Sequence, residues 1–233
     1  MPSQILPGST IAIVDDDEGW AEETELELKD AGFKSLAIVE GSYKKAEQLA
    51  LYIANNAQYA VCDHRLAPYG LANFYGSELV AILYDFKIPS ILITQYTDMD
   101  IDVSIRKYRS KIPVLLSREE VSASNLERGI EDCISELAGK VLSTRKSHRT
   151  IVRITNIDRE SGEDVVDTFV PGWNPHKAVR FPASLIPEEI RDDALKPGVR
   201  LFAHVNIGAD KSDDLYFDKF ELAPEADDND GLA

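Results

Sequence analysis

The sequence is short of cysteine, methionine and tryptophan, with two of each, and it has too little positive charge to balance its acids. Cys62 and Cys133 stand far apart among apolar neighbours, so they read as two buried thiols and exclude a disulfide framework. The 4 histidines, His64, His148, His176 and His204, show no spacing that suggests zinc. No apolar run approaches the ~18 residues that a membrane span needs. The opening MPSQILPGST has neither the basic nor the long apolar region of a secretory signal, and a cytoplasmic location is the expectation. With 25 Lys and Arg against 41 Asp and Glu, the net charge is −16. Such a charge opposes general attraction to phosphate backbones.

What is present is enough for two domains in 233 residues. Up to residue 139 short apolar runs alternate with longer amphipathic segments, the pattern of a parallel sheet wrapped by helices. Strands are predicted at Ile11–Val14, Ser35–Val39, Tyr59–Cys62, Ser90–Thr94 and Pro113–Leu116. Helices are predicted at Trp20–Ala31, Ser42–Asn55, Tyr75–Phe86, Met99–Tyr108 and Ser124–Leu137. In the second of these, Ala46, Leu49, Ala50 and Ile53 recur at helical spacing and define the face turned to the sheet. Residues 140–150 carry Arg145, Lys146 and Arg149 and read as a basic linker or helix extension. From 151 to 222 β-branched and aromatic runs separated by turns predict a small all-β barrel or sandwich, with a helical turn near Pro187–Ala194. Residues 223–233 form an acidic tail for which disorder is expected.

The chemistry gathers where strands end. Asp15, Asp16 and Asp17 follow the first strand, Asp63 the third, and Thr94 with Gln95 close the fourth. In an open parallel sheet of order 2-1-3-4-5 those three strands are neighbours, and their carboxyl ends meet at one pocket. Carboxylates gathered there repel one another, which raises a pKa unless a cation intervenes. Mg²⁺ suits such a site because it takes oxygen ligands and needs only one or two carboxylates beside phosphate oxygens. The plainer use of Asp15 and Asp16 is to cap the helix that follows.

IAIVDDDEGW, AVCDHRL and ILITQ together resemble the response-regulator receiver domain of two-component signalling, over residues ~10 to ~140. The resemblance implies a flavodoxin-like, doubly wound five-stranded parallel sheet. It also implies Asp63 as phosphoacceptor, Asp15, Asp16 and the backbone carbonyl of Arg65 as further Mg²⁺ ligands, and Thr94 as switch hydroxyl. The partners it implies are a histidine kinase or another regulatory protein, and a second copy through the same domain. The motifs also depart from the family. Where the family has a Lys after the fifth strand, this sequence has Ser117 followed by Arg118, the two candidates for phosphate contact. Gln95 is larger than the usual residue beside the switch hydroxyl, and Val114 stands where the family has an aromatic.

The loop after Asp63 is longer than the family norm, and its Tyr69, Phe74 and Tyr75 are candidates for docking. Two expectations follow. One is a phosphorylation switch that reports to the C-terminal domain; the other is a pseudo-receiver that serves as a protein-interaction scaffold. Neither involves catalytic turnover. In the C-terminal half, VPGWNPHKAVRFP brings together Trp173, His176, Lys177, Arg180 and Phe181. It reads either as an aromatic and basic surface, for which nucleic acid is a third expected partner class, or as a turn sealed by Trp173. The acidic balance of this half favours the second.

Overall fold

Runs of four or five β-branched and apolar residues, bounded by Asp, Gly and Pro, are too short for helices and form strands, of which the central three of the first sheet are buried on both faces. The computed structural model describes residue 5 and residues 8–66, 70–95, 100–160 and 162–224, with backbone alone at Asp100 and Glu160. It divides into two compact units, Met1–Leu142 and Ser143–Ala233.

The first unit contains β1 (Thr10–Val14), α1 (Glu18–Asp30), β2 (Lys34–Ile38), α2 (Ala46–Asn56), β3 (Tyr59–Asp63), α3 (Gly76–Asp85), β4 (Ser90–Thr94), β5 (Val114–Ser117) and α4 (Ala123–Leu137). All strands are parallel, in the order β2-β1-β3-β4-β5. The pleat sends alternate residues to opposite faces. Ala12, Val14, Ala60, Cys62 and Leu92 meet Leu49, Ile53, Leu79 and Leu83 of α2 and α3. Ile11, Ile13, Tyr59, Val61, Ile91 and Ile93 meet Leu28, Leu126, Ile130 and Ile134 of α1 and α4. This is the flavodoxin-like arrangement expected, and the predicted face of α2 is the buried one.

Two helices differ from expectation. The second starts at Ala46 instead of Ser42, because Tyr43 is engaged by the long loop: its N–H donates to the Leu71 carbonyl, and its carbonyl accepts from Asn73. The fourth is not an α-helix. A π-helical turn spans Asp100–Ile105 and a 3₁₀ helix Arg106–Lys111, while Met99 lies outside the described residues. Ile101, Val103 and Ile105 give this stretch low helix propensity. It is anchored by Ile101 and Ile105 in the core and by two buried arginines. Arg106 donates to Asp102 at 3.2 Å and Arg109 to the Ile112 carbonyl.

The second unit contains β6 (His148–Glu160), β7 (Glu163–Val170), β8 (Asn174–Pro182), α5 (Glu188–Ala194), β9 (Arg200–Val205) and β10 (Phe217–Leu222). One antiparallel sheet has the order β10-β9-β6-β7-β8. Its inner face packs on Ile186 and Ala194. Phe181 of edge strand β8 lies 4.8 Å from Phe217 and 5.2 Å from Phe220 of the opposite edge β10, centroid to centroid. The sheet therefore curls until its edges meet through aromatic rings. This is the barrel side of the expectation, closed by side chains and not as a sandwich.

Residues 140–150 do not behave as a uniform linker. Ser143–Arg145 form a 3₁₀ turn and β6 has begun by His148. Arg145 is buried, its carbonyl accepting from the Tyr216 hydroxyl at 2.7 Å. Of the acidic tail, residues 225–233 lie outside the described residues.

Gly76 opens α3 against the end of β3. A Cβ there would stand 1.8 Å from the Asp63 carbonyl oxygen and 2.9 Å from its carbonyl carbon. Backbone has to move to accept it, so Gly76→Ala is expected to destabilise the first unit by about 1–3 kcal/mol or more. Denaturant unfolding monitored by Trp20 fluorescence checks this; an unchanged midpoint would show that the contact is soft.

Candidate functional site: an acidic pocket held by an arginine

Asp15 and Asp16 are placed by the end of β1, Asp63 by the end of β3 and Thr94 by the end of β4. One carboxylate oxygen from each of the three acids lies within 4.8 Å of the others. Helix capping does not consume them. Asp17 is the N-cap of α1, its Oδ1 accepting from the N–H groups of Gly19 at 3.0 Å and Trp20 at 3.3 Å. Asp15 and Asp16 are thus left to face the pocket. Asp15 is steadied by an N–H from Asp17 at 3.0 Å.

The structure brings Arg118 into the same space. Its Nη2 donates to Asp63 Oδ1 at 2.7 Å and lies 3.2 Å from Asp15 Oδ2. The guanidinium carbon stands 4.6 Å from the centroid of Trp20, so an aromatic ring supports the cation from one side. All three partners are desolvated, with side-chain exposures of 10% for Arg118, 8% for Asp15 and 5% for Asp63. The second oxygen of Asp63 accepts from the Arg65 N–H at 2.7 Å. Both carboxylate oxygens of the acceptor expected from sequence are therefore engaged within the chain.

Buried Thr94 lies beside Ser117 in the strand register. It lines a cleft of about 190 Å³ with Asp16, Asp17, Asp63, Arg65, Gln95 and Arg118. Ser117 takes another part. It caps the turn Arg118–Glu120, with its N–H donating to Glu120 Oε2 at 2.8 Å and its side chain accepting from the Glu120 backbone. That capping box aims the next residue, Arg118, into the pocket.

The other candidates are dispersed. Phe74 is buried in the core beside α2 and α3 and offers no docking surface, because its ring fills the space under the long loop. Tyr75 is 48% exposed, and its ring stacks on His64 with centroids 4.9 Å apart and planes 9° apart. Tyr69 lies outside the described residues. His64 points away from Asp63 across the sheet, as the pleat requires, and its Nε2 lies 2.8 Å from Ser104 Oγ. In the second unit, Trp173 donates from its indole nitrogen to the Ala209 carbonyl at 2.7 Å and packs at the core margin. Sequence reasoning missed Trp20. The signal was an aromatic in the first turn of the helix after the acid run.

Electrostatics follow from burial. Desolvation, and then the charge of Asp63, raise the Asp15 carboxyl from 3.8 to about 7, against the lowering pull of the Asp17 N–H and of Arg118. Desolvation also raises Asp63, opposed mainly by Arg118 and the Arg65 N–H. Carboxylate oxygens are the donor set that a hard divalent cation takes, so Asp15, Asp16 and Asp63 fit Mg²⁺ in chemistry. The guanidinium, however, bonds to two of the same three acids.

No protein-family model matches the chain, and no curated protein matches it. Solved structures do. A response regulator receiver domain protein from Clostridium thermocellum is 15% identical, covering 55% of this chain and 95% of that one, with a TM-score of 0.42. The signal receiver domain of a modulated diguanylate cyclase from Desulfovibrio desulfuricans is 20% identical over 57% and 98%, with a TM-score of 0.46. A receiver domain protein from Methanospirillum hungatei is 19% identical over 57% and 98%, at 0.43. At these identities the likeness is one of fold. Strand order and the acids at the ends of β1 and β3 define, independently of these likenesses, a flavodoxin-like unit with an acidic cluster at its switch point.

Asp15, through its protonation, ties the stability of the first unit to pH. Its folded pKa, about 7, exceeds the ~3.9 of an unfolded aspartate. Between those values the folded state holds a proton that the unfolded state has released. Stability from this group therefore falls as pH rises through the window. Asp15→Asn is expected to remove that loss, on the order of a few kcal/mol at most. Denaturant midpoints of both proteins between pH 5 and 8, without divalent ions, check it; parallel profiles would refute the shift.

Proposed function

We propose that this chain is a receiver-type signalling protein that acts by binding and switching, not by turnover, and that Arg118 holds its acidic pocket in the resting state. The observation that carries the reading is the ion pair of Arg118 with Asp63 at 2.7 Å and with Asp15 at 3.2 Å. It sits where strand order collects the acids. In this reading Asp63 is the phosphoacceptor, Thr94 the hydroxyl beside the incoming group, and a histidine kinase or another regulatory protein the partner. Asp15, Asp16, Asp63 and the Arg65 carbonyl would hold Mg²⁺, which supplies charge neutralisation when bound.

For transfer, Arg118 first releases Asp63 Oδ1. That oxygen then attacks the phosphorus of a phosphodonor, and the bond from phosphorus to the donor's leaving group breaks with its electron pair going to that group. Arg118 remains close enough to pair with the new phosphoryl oxygens, for which its planar fork is suited. The added charge then favours a new arrangement, which the second unit reads out.

A second reading keeps the fold as an interaction scaffold. The same ion pairs favour it, since they already offset part of the pocket's negative charge without a metal. Incubation with Mg²⁺ and acetyl phosphate, followed by intact-mass measurement, separates the two. A gain of one phosphoryl group that Asp63→Asn abolishes supports the switch; no gain in the native chain or in Arg118→Ala supports the scaffold.

Arg118→Ala is expected to tighten Mg²⁺ binding by about tenfold or more, because an ion pair that competes with the metal is gone. Calorimetric titration measures this directly, with Trp20 fluorescence as the native-chain reporter. Equal Mg²⁺ affinity in both proteins would exclude Arg118 as a competitor.

A further inference from the structure

Among the described residues of the second unit, its own elements pack against one side of its sheet. Its inner face carries Val152, Ile154, Val166, Val170, Val179, Phe181, Leu201, Ala203 and Val205, all buried. Antiparallel partners lie on the same face, so the register lays out the opposite side in rows. Glu221, Phe202 and Ile151 form one row, and Arg200, Arg153 and Phe169 the next. Beyond the first row lie Asp218, His204 and Arg149. Ile151 is 39% exposed, and Arg153 and Arg200 are also exposed.

Arg153 and Arg200 stand directly opposite each other on neighbouring strands, a placement that costs stability for like charges. Neither forms an ion pair among the described residues. Nearby cations are answered differently. Arg149 lies 3.7 Å over the Phe202 ring and pairs with Glu221 at 2.9 Å. Arg180 pairs with Asp158 and Asp167. The centre of the face thus joins two uncompensated guanidinium groups to an apolar strip of Ile151, Phe202 and Phe169. Arginine and aromatics around a small apolar centre are the composition of protein interfaces.

We infer that this face of the second unit docks an acidic segment of a partner protein, whose carboxylates pair with Arg153 and Arg200 and whose apolar side chains cover Ile151. Charge complementarity selects the occupant. Two carboxylates relieve the Arg153–Arg200 repulsion and form forked hydrogen bonds with guanidinium groups. A nucleic-acid strand carries a charge at every nucleotide and would set further phosphates against Glu221, Asp218 and Asp167, whereas a peptide can confine its carboxylates to Arg153 and Arg200 and lay apolar side chains on Ile151. The inference concerns the second unit and does not depend on phosphorylation of Asp63.

The test is fluorescence anisotropy at low salt on the full chain, with two labelled probes, a peptide alternating Glu with Leu and an oligothymidine of equal charge. Saturable peptide binding is expected, weakened about tenfold or more by Arg153→Glu and severalfold by Ile151→Ser. Arg153→Glu places a carboxylate opposite Arg200, so its thermal midpoint should equal or exceed that of the native chain, which separates lost binding from lost folding. Failure of the peptide to bind, or binding unchanged in both variants, would overturn the inference. So would tighter binding of the oligothymidine that Arg153→Glu abolishes, which would make this a nucleic-acid face.

Discussion

Three carboxyl groups within 4.8 Å of one another and largely shut off from water cannot all be charged without a cation among them. The first unit supplies that cation from its own chain. Arg118 eases the constraint, leaving Asp15 still raised to about 7, and it does so only because several other features hold it there. β5 ends at Ser117, Ser117 and Glu120 form a capping box that fixes the turn, and Trp20 offers its ring to the guanidinium. Truncating one member of such a buried set leaves the rest uncompensated, which is costly even where the intact pair contributes little net stability. The pocket is therefore a unit whose parts come from β1, α1, β3 and the turn after β5.

Much of this was legible in the sequence, for a definite reason. Acids at the ends of the first and third apolar runs and Thr94 at the end of the fourth are local signals, and the parallel order 2-1-3-4-5 turns them into one place. The period of Ala46, Leu49, Ala50 and Ile53 was equally local, and these residues are buried as a face. Departures arose where distant partners decide. Tyr43 is kept out of α2 by backbone bonds to Leu71 and Asn73, almost thirty residues away. Phe74, an aromatic in a long loop, is core and not surface because the loop folds over it.

The candidate site divides in the same manner. Asp15, Asp16, Asp63 and Thr94 could be named from motifs. Arg118 could be named as a neighbour of the pocket but not as the group that grips two of its acids, because that depends on where a turn aims the side chain. Nothing local paired Trp20 with a residue almost a hundred positions later. In the second unit the strands were plain from composition, whereas the closure of the sheet rests on Phe181 meeting Phe217 and Phe220. Pattern alone could not tell barrel from sandwich, since both place alternate residues inward.

The stack of Tyr75 on His64 has a consequence for how far the pocket reaches. His64 follows Asp63 directly, and its carbonyl accepts the N–H of Gly76 at 2.8 Å, while the Asp63 carbonyl leaves no room for a side chain at Gly76. An unbroken line of contacts therefore runs from the backbone beside Asp63 to a half-exposed phenol ring and, by way of Ser104, to the π-helical turn. The fold thus gives a buried carboxylate a window on the outer surface, on the opposite side of the sheet from Arg118 and without any aromatic on β5.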